Sequence, residues 1–302
     1  MRARAPGKVV LSGAYVVLDG APAVVASVSA YAVADTSRHP RRVSPELAAA
    51  FGDAPPPVVD TRAMRRRGQK LGVGSSSAAT VAAIAADRWS RLTPGHPDRE
   101  RGSIARAAYA AHRAAQGGGS GIDVVACTFG GVRVCRRTID GALPRHEAAS
   151  LPGGLVTRLF SCPESARTSA LVGRVRALRD DRPELYADVM SEAALGAEAF
   201  ASALAAGDVD AALRGAGAQR AAMVRLQEAS GALILPDYML RGHALTAAEG
   251  AVLAQAGAGG GDVAIYFGAS APSDTTRRAL AALGLAPLSL TLGVDGVHEP
   301  RG

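Results

Sequence analysis

Lysine is nearly absent from this chain. Among its 34 lysine and arginine residues in 302 positions, only Lys8 and Lys70 are lysines, and each lies in a glycine-containing segment. A lysine ammonium is a compact charge on a flexible stem that fits between phosphate oxygens, whereas the guanidinium of arginine is a wider planar fork. The two lysines therefore predict a protein that handles phosphate groups.

Cysteine and aromatic residues are also scarce. The three cysteines, Cys127, Cys135 and Cys162, lack paired spacing, which argues against a disulfide framework or a zinc site and favours a reducing, cytoplasmic environment. Aromatic residues make up 4% of the chain, and none is interleaved with a basic run as a base-stacking surface would require. We therefore expect no nucleic-acid partner despite the net charge of +7.

Long apolar runs are missing as well. No uncharged apolar stretch of about 18 residues appears, so no membrane-spanning helix is expected. The apolar region near the N-terminus is interrupted by Pro6, Lys8 and Gly13, which argues against a signal peptide. With 48% hydrophobic and 20% charged residues, the composition is typical of globular domains without a membrane partner, and it predicts no particular oligomeric state.

Hydrophobic patterning predicts both strands and helices. Before residue 150 it predicts strands at 9–11, 15–18, 23–33 and 58–60, helices at 75–92 and 101–116, and irregular surface over most of 40–70. After residue 150 it predicts strands at 155–160 and 263–267 and helices at 165–180, 185–206, 208–229 and 245–256. Prolines and glycines loosen the pattern near 150, so domains of 1–150 and 151–302 are expected.

The segment KLGVGSSSA (70–78) leads into the first predicted helix. Glycines let the backbone approach an anion, the free N–H groups of a helix N-terminus attract negative charge, and serine hydroxyls reach phosphate or Mg²⁺. It is not a Walker loop, because the order Gly-Lys-Ser/Thr is absent, and it is not a dinucleotide fingerprint. Taken alone, the segment also fits a serine-capped helix after a glycine turn, without any ligand.

Three further glycine segments favour the phosphate interpretation. They are APGK (5–8), GGGSGID (117–123), which ends in Asp123, and GAGGGD (257–262). A lysine, an aspartate, a phosphate cradle and a second glycine loop are the parts of a phosphoryl-transfer site, in which positioning and charge neutralisation supply most of the catalysis.

Three segments resemble, in order, the motifs of the GHMP kinase family: APGKVVLSGAYVVLDG (5–20), KLGVGSSSA (70–78) and GAGGGD (257–262). They span nearly the full chain. The resemblance implies an α+β fold of two domains, an N-terminal α/β domain with a left-handed βαβ crossover and a C-terminal ferredoxin-like domain, with ATP between them.

The resemblance also implies the roles of individual residues. Lys8 and Asp123 would be catalytic and face the acceptor. The ATP-binding residues would be Lys70, Gly72, Gly74, Ser75, Ser76, Ser77, Gly259, Gly260 and Gly261. The hydroxyls of Ser76 and Ser77 would hold Mg²⁺. The acceptor would be bound by Ser120, Gly121, Ser165, Arg167 and Thr168.

Within the family, segments 119–125 and 165–168 are more like phosphomevalonate kinases than mevalonate kinases. The resemblance therefore implies ATP- and Mg²⁺-dependent phosphorylation of 5-phosphomevalonate to the 5-diphosphate, a step of isoprenoid synthesis. A mevalonate kinase, or a sibling that acts on another small alcohol, is the alternative. A catalytically inactive nucleotide-binding regulator is a second alternative.

Three positions depart from the family pattern. Ala14 stands where many relatives have glutamate, and together with a short stretch between the first two motifs it suggests the inactive regulator. Retention of Lys8 and Asp123 argues against that reading. His112 stands where mevalonate kinases are expected to carry a metal-binding glutamate, although a lone helical histidine is more often packed or exposed than a ligand. Arg167 replaces a usual serine, and it either binds the substrate phosphate or marks a shifted specificity.

Overall fold

The computed structural model describes residues 1–66, 68–91, 97–138, 140–165 and 168–300. The chain forms two compact units: Met1–Val9, Val25–Ala148 and the residues from Leu290 onward make the first, and Val10–Val24 and Ala149–Ser289 make the second. This division differs from the predicted ranges 1–150 and 151–302 in two segments. Residues 10–24 pack within the second unit, and the residues after Leu290 return to the first.

Both units contain strands and helices. The strands are β1 (Arg2–Ser12), β2 (Ala23–Asp35), β3 (Val58–Asp60), β4 (Arg65–Arg66), β5 (Gln69–Lys70), β6 (Val132–Arg136), β7 (Arg145–Ala149), β8 (Val156–Ser161), β9 (Val252–Gln255), β10 (Val263–Gly268) and β11 (Ala286–Leu288). The helices are α1 (Pro45–Phe51), α2 (Ser75–Ser90), α3 (Pro97–Gln116), α4 (Ile122–Phe129), α5 (Thr168–Asp181), α6 (Pro183–Ala206), α7 (Val209–Ser230), α8 (Asp237–Ala247) and α9 (Asp274–Ala282).

The first unit is built on a sheet of order β1-β2-β6-β7, to which β3 adds by pairing with β2, with β4 and β5 as a separate hairpin. Helix α2 is rich in alanine and buries most of its length, so α3 and α4 pack closely against it. The residues after Leu290 complete this unit through backbone hydrogen bonds. Arg4 and His298 exchange two of them, and Gly131 donates to Val294.

The second unit has the ferredoxin-like arrangement. Its sheet has the order β11-β8-β10-β9 with every pair antiparallel, and helices α5 to α8 and α9 fill the two βαβ connections. Central strand β10, Val-Ala-Ile-Tyr-Phe-Gly, is buried along its whole length, which explains its unbroken apolar sequence. The α+β class and the ferredoxin-like C-terminal sheet predicted from the sequence are confirmed.

Two predicted elements are wrong, and three helices, α1, α4 and α9, were missed. Residues 15–18, predicted as a strand, form a 3₁₀ turn over Val16–Asp19 that ends at Gly20 in the left-handed conformation. The helix predicted at 245–256 instead ends at Ala247 and is followed by β9. Helix α1 lies in the stretch predicted to be irregular. It forms there because the Ser44 hydroxyl accepts a hydrogen bond from the Leu47 N–H and caps the helix.

Helix α6 is, among the described residues, the one helix whose length and composition would allow it to cross a membrane. Half of the apolar stretch is buried within the unit. Gly196 faces α7 so closely that an added Cβ would lie 2.7 Å from the backbone nitrogen of Gln219. The apolar character of α6 therefore fits the core helix of a packed unit.

Candidate active site

Lys8 lies on β1 beside the glycine-rich turn that precedes α2. Its backbone N–H donates a 2.8 Å hydrogen bond to the Val73 carbonyl, which joins strand and turn. Gly74 has a φ of +75°, and a Cβ built there would lie 2.9 Å from both Cε and Cγ of Lys8. Only glycine therefore fits at position 74, and the lysine side chain is packed over the start of α2.

Helix α2 begins without a side-chain cap. Its N-cap is Gly74 in the left-handed conformation, and no side chain bonds to its first N–H groups. The serine-capped helix considered as the ligand-free alternative is therefore not what forms. Helix α4 begins in the same way at Gly121. Uncapped N–H groups at a helix N-terminus are suited to bind an anion such as phosphate.

A buried hydrogen-bonded cluster joins α2, α3 and α4. The Ser77 hydroxyl donates to Asp123 Oδ2 at 2.6 Å and lies 3.2 Å from His112 Nε2. The same imidazole nitrogen is 3.6 Å from Asp123 Oδ2. Ser77 is 1% and His112 6% exposed, whereas the side chain of Asp123 is 20% exposed. The buried Ser77 and His112 thus hold the Asp123 carboxylate in place, while part of it stays accessible to solvent.

The charge of Asp123 is set by its neighbours. Burial raises its pKa, but the ammonium of Lys8, the nearby His112 and the Ser77 hydrogen bond outweigh burial and hold the pKa below the ordinary value. Within the described parts of the chain, the Lys8 ammonium has no hydrogen-bond or ion-pair partner of its own. The site therefore offers an ionised carboxylate next to a cation that is free to bind an anion.

A second carboxylate, which the sequence reading missed, touches the serine run. Ser76 donates to Glu46 Oε1 at 2.5 Å, and the amide of Gln116 donates to the same oxygen at 3.2 Å. Burial raises the pKa of Glu46, but these hydrogen bonds outweigh it and the pKa lies below the ordinary value. The one signal that could have revealed Glu46 is the helix start Ser44-Pro45-Glu46, with a cap, a proline at N1 and an acidic first turn.

The third glycine segment lies in the second unit and is tightly held there. A Cβ on Gly259, whose φ is +79°, would lie 2.3 Å from the Ile234 carbonyl, and Gly260 donates to the same carbonyl at 2.7 Å. The Tyr15 hydroxyl donates to the Ala258 carbonyl at 2.7 Å. Tyr15 itself has a φ of 66°, a strained value for a bulky residue. The loop of Gly259, Gly260 and Gly261 is therefore fixed from two sides.

The predicted acceptor-binding residues fall in both units. In the second unit, the Ser165 hydroxyl donates to Asp262 Oδ1 at 2.8 Å, at the end of the third glycine segment, and Thr168 begins α5. Arg167 lies outside the described residues. In the first unit, Ser120 and Gly121 directly precede α4, which carries Asp123.

The structure separates the two lysines by environment. Lys8 is half-buried and belongs to the cluster with Gly74, Ser77 and Asp123. Lys70 is exposed on β5, where its backbone pairs with Arg65 of β4. Its predicted role in ATP binding stays a prediction.

Comparison with known proteins supports the resemblance. Residues 50–131 match the sequence model of the family described as "GHMP kinases N terminal domain". No curated protein sequence matches the chain. The family resemblance drawn from the three motifs is therefore confirmed.

Several solved structures share the fold over nearly the whole chain. The Lin0012 protein from Listeria innocua has a TM-score of 0.86 at 18% identity and covers 100% of this chain and 99% of its own. Streptococcus pneumoniae phosphomevalonate kinase, solved with phosphomevalonate and AMPPNP, has a TM-score of 0.78 at 17% identity, with 97% and 99% covered. L. major mevalonate kinase, solved with R-mevalonate, has a TM-score of 0.65 at 18% identity, with 94% and 90% covered.

Proposed function

We propose that this chain is a GHMP kinase that transfers the γ-phosphoryl group of ATP to 5-phosphomevalonate. The observation that carries the proposal is the cluster at the start of α2, where the Lys8 ammonium, without a hydrogen bond or ion pair to any described residue, and the Asp123 carboxylate lie beside uncapped helix N–H groups. In phosphoryl transfer, catalysis comes almost entirely from positioning and from neutralising charge on the phosphoryl oxygens. The cluster supplies both functions.

Each part of the cluster has a role in this reaction. The turn at Gly72 and Gly74 and the first N–H groups of α2 bind the ATP phosphates. An oxygen of the acceptor phosphate bonds to the γ-phosphorus while the bond to the bridging oxygen breaks, and ADP leaves with that electron pair. Lys8 stabilises the negative charge between the two groups, and Asp123 orients the acceptor. The serine hydroxyls at the start of α2 are oxygen donors that would hold Mg²⁺, which would neutralise phosphate charge when bound.

The electrostatics of Asp123 favour a phosphate acceptor over an alcohol. A general base works best when its pKa is near the operating pH, and the pKa of Asp123 is shifted the other way, below its ordinary value. An alcohol has a proton to lose during the reaction. A phosphomonoester has a second pKa of about 6 and is already ionised at pH 8. Asp123 is therefore better suited to orient an acceptor than to deprotonate one.

The proposal is tested by ADP release with phosphomevalonate and mevalonate side by side at pH 8. Turnover with phosphomevalonate alone supports it, and preferential turnover of mevalonate replaces it with the alcohol kinase. An inactive regulator would bind ATP without turnover on any acceptor in a panel. The presence of both Lys8 and Asp123 in one cluster argues against that outcome.

Asp123→Asn tests the ionised-acceptor argument. We expect the rate to fall by less than about 10²-fold at pH 8, below the usual contribution of a general base, because only orientation is lost. The deficit should grow as the pH falls towards 6, because the acceptor becomes protonated while wild-type Asp123, with its lowered pKa, stays ionised. The measurement is the ratio of wild-type to variant rates from pH 6 to 9.

His112 lies 3.6 Å from Asp123. It is unchanged in both wild type and Asp123→Asn, so comparing those two proteins does not isolate its contribution to the pH profile. His112→Gln measured over the same pH range shows how much of the profile the imidazole contributes. A deficit of 10²-fold or more that does not change with pH would contradict the ionised acceptor and favour an alcohol substrate.

Lys70→Arg tests the role of the second lysine. Although the charge is kept, we expect the KM for ATP to rise by about tenfold, because the wide guanidinium does not replace a compact ammonium at a phosphate site. Arg65→Lys, at the position that pairs with Lys70 across the hairpin, is the matched control and should leave the KM unchanged. Equal KM values for wild type and Lys70→Arg would remove Lys70 from the ATP site.

A further inference from the structure

Two carboxylates flank the serine run of α2, and their charges are compensated differently. Asp123 has the Lys8 ammonium and His112 beside it. Glu46 is bonded by the neutral groups of Ser76 and Gln116. Among the residues that the structure describes, no lysine, arginine or histidine forms an ion pair with Glu46. Glu46 is thus a half-buried anion without a protein cation.

The helix geometry assigns one serine to each carboxylate. Successive residues of an α-helix point about 100° apart, since a turn takes about 3.6 residues. The Ser77 hydroxyl accordingly donates to Asp123 and is buried, whereas the Ser76 hydroxyl donates to Glu46 and is only half-buried. Of the two serine–carboxylate pairs, only Ser76 and Glu46 therefore combine an accessible hydroxyl with a negative charge that no protein cation compensates.

We infer that Glu46 and Ser76 bind the divalent cation that accompanies the nucleotide, with Gln116 holding the carboxylate in place. The inference rests on the proposed function for its nucleotide. Mg²⁺ prefers oxygen ligands, and in nucleotide sites it takes one or two carboxylates together with substrate phosphates and water. A carboxylate and a hydroxyl at the start of α2 match that partial set.

Two further observations favour this position over the neighbouring one. Within the described ranges, no group of three or more His, Cys, Asp or Glu residues is placed to hold a metal ion, so the remaining ligands have to come from the nucleotide and solvent. At Asp123, the nearby Lys8 ammonium would repel a divalent cation. Ser77, also predicted as a metal ligand from the sequence, is buried, so its hydroxyl is less accessible to a cation than that of the half-buried Ser76.

The competing interpretation is that Glu46 only orients Ser76. Glu46→Gln separates the two roles, because the amide oxygen still accepts the Ser76 hydrogen bond but carries no charge. Glu100→Gln is the matched control, since Glu100 likewise accepts a hydrogen bond from a serine hydroxyl, that of Ser103 at 2.8 Å, and is partly buried.

The test measures Mn²⁺ binding to the full chain in the presence of a non-hydrolysable ATP analogue, from the electron paramagnetic resonance signal of free Mn²⁺. We expect Glu46→Gln to weaken Mn²⁺ binding by about tenfold or more, comparable with the usual loss at a metal site, and Glu100→Gln to leave it unchanged. Glu46→Asp keeps the charge and should bind Mn²⁺ more tightly than Glu46→Gln. The three variants are compared by circular dichroism to verify folding.

An Mn²⁺ affinity of Glu46→Gln within about twofold of wild type would overturn the inference, as would equal losses in Glu46→Gln and Glu46→Asp. This result is distinguishable from failure of the proposed function. If wild type turns over no acceptor but Mn²⁺ binding with the analogue depends on Glu46, the metal site stands and the phosphomevalonate assignment falls. If phosphomevalonate is turned over normally and Glu46→Gln leaves Mn²⁺ binding unchanged, the phosphomevalonate assignment stands and the metal site falls.

Discussion

Lys8→Met is expected to lower kcat by about 10²–10³-fold, the usual cost of removing one preorganised group that stabilises transition-state charge. The affinity for ATP should change far less, because the interaction strengthens as negative charge builds between donor and acceptor. The structure supports a larger effect on kcat than on ATP affinity. The Lys8 ammonium makes no hydrogen bond or ion pair with any described residue, although its charge lowers the pKa of Asp123, so it is available to a ligand.

The measurement for Lys8→Met combines steady-state kcat with ATP affinity from equilibrium binding. Lys70→Met is the matched control, since it removes the other lysine of the chain from exposed strand β5, and its main effect should fall on ATP affinity. Loss of ATP binding in Lys8→Met as large as the loss in kcat would reassign Lys8 to the nucleotide.

Gly74→Ala is expected to lower kcat by about 10²-fold or more, the effect of misplacing a catalytic group by about 1 Å. The new methyl group would lie 2.9 Å from Cε and Cγ of Lys8, so the lysine has to move. A left-handed alanine also costs about 1–2 kcal/mol of folding stability. Stability and kcat should therefore both fall, for separate reasons.

Gly207→Ala separates these two effects. Gly207 ends α6 with a φ of +67°, and nothing lies within 4 Å of an added Cβ. It should lose about the same unfolding free energy, measured by urea denaturation, but keep wild-type kcat. If both alanine variants lose the same activity, the backbone cost alone explains the result, and the packing of Lys8 on Gly74 has no catalytic role.

The sequence predicted the site residues that lie in short contiguous motifs. Lys8, the turn at Gly74 and Asp123 each stand in a glycine-containing segment whose backbone freedom has a direct physical use. Glu46 was missed because nothing local links it to Ser76, thirty residues further on. Their contact depends on how α1 packs with α2 and α3, which no single-sequence pattern encodes.

The strand and the helix that were predicted incorrectly also have physical explanations. The run Tyr15-Val16-Val17-Leu18 has strand composition, but Gly20 adopts a left-handed conformation and the Tyr15 hydroxyl is bonded to Ala258, so tertiary contacts override propensity. The apolar residues after Ala247 were merged into the preceding helix. A short apolar run does not distinguish a buried strand such as β9 from a helix end by periodicity alone.

The residues after Leu290 bear on how the protein is made. Their backbone bonds to β1 and to the turn after α4, such as those between Arg4 and His298 and between Gly131 and Val294, finish the first unit. During translation, every residue of the second unit up to Ser289 leaves the ribosome before this segment. Domains generally fold in order of synthesis, yet the unit begun first here is the last to be completed. A nascent chain stalled before Leu290 would have an unfinished first unit although every residue of the second unit had been made, a species for chaperones to protect.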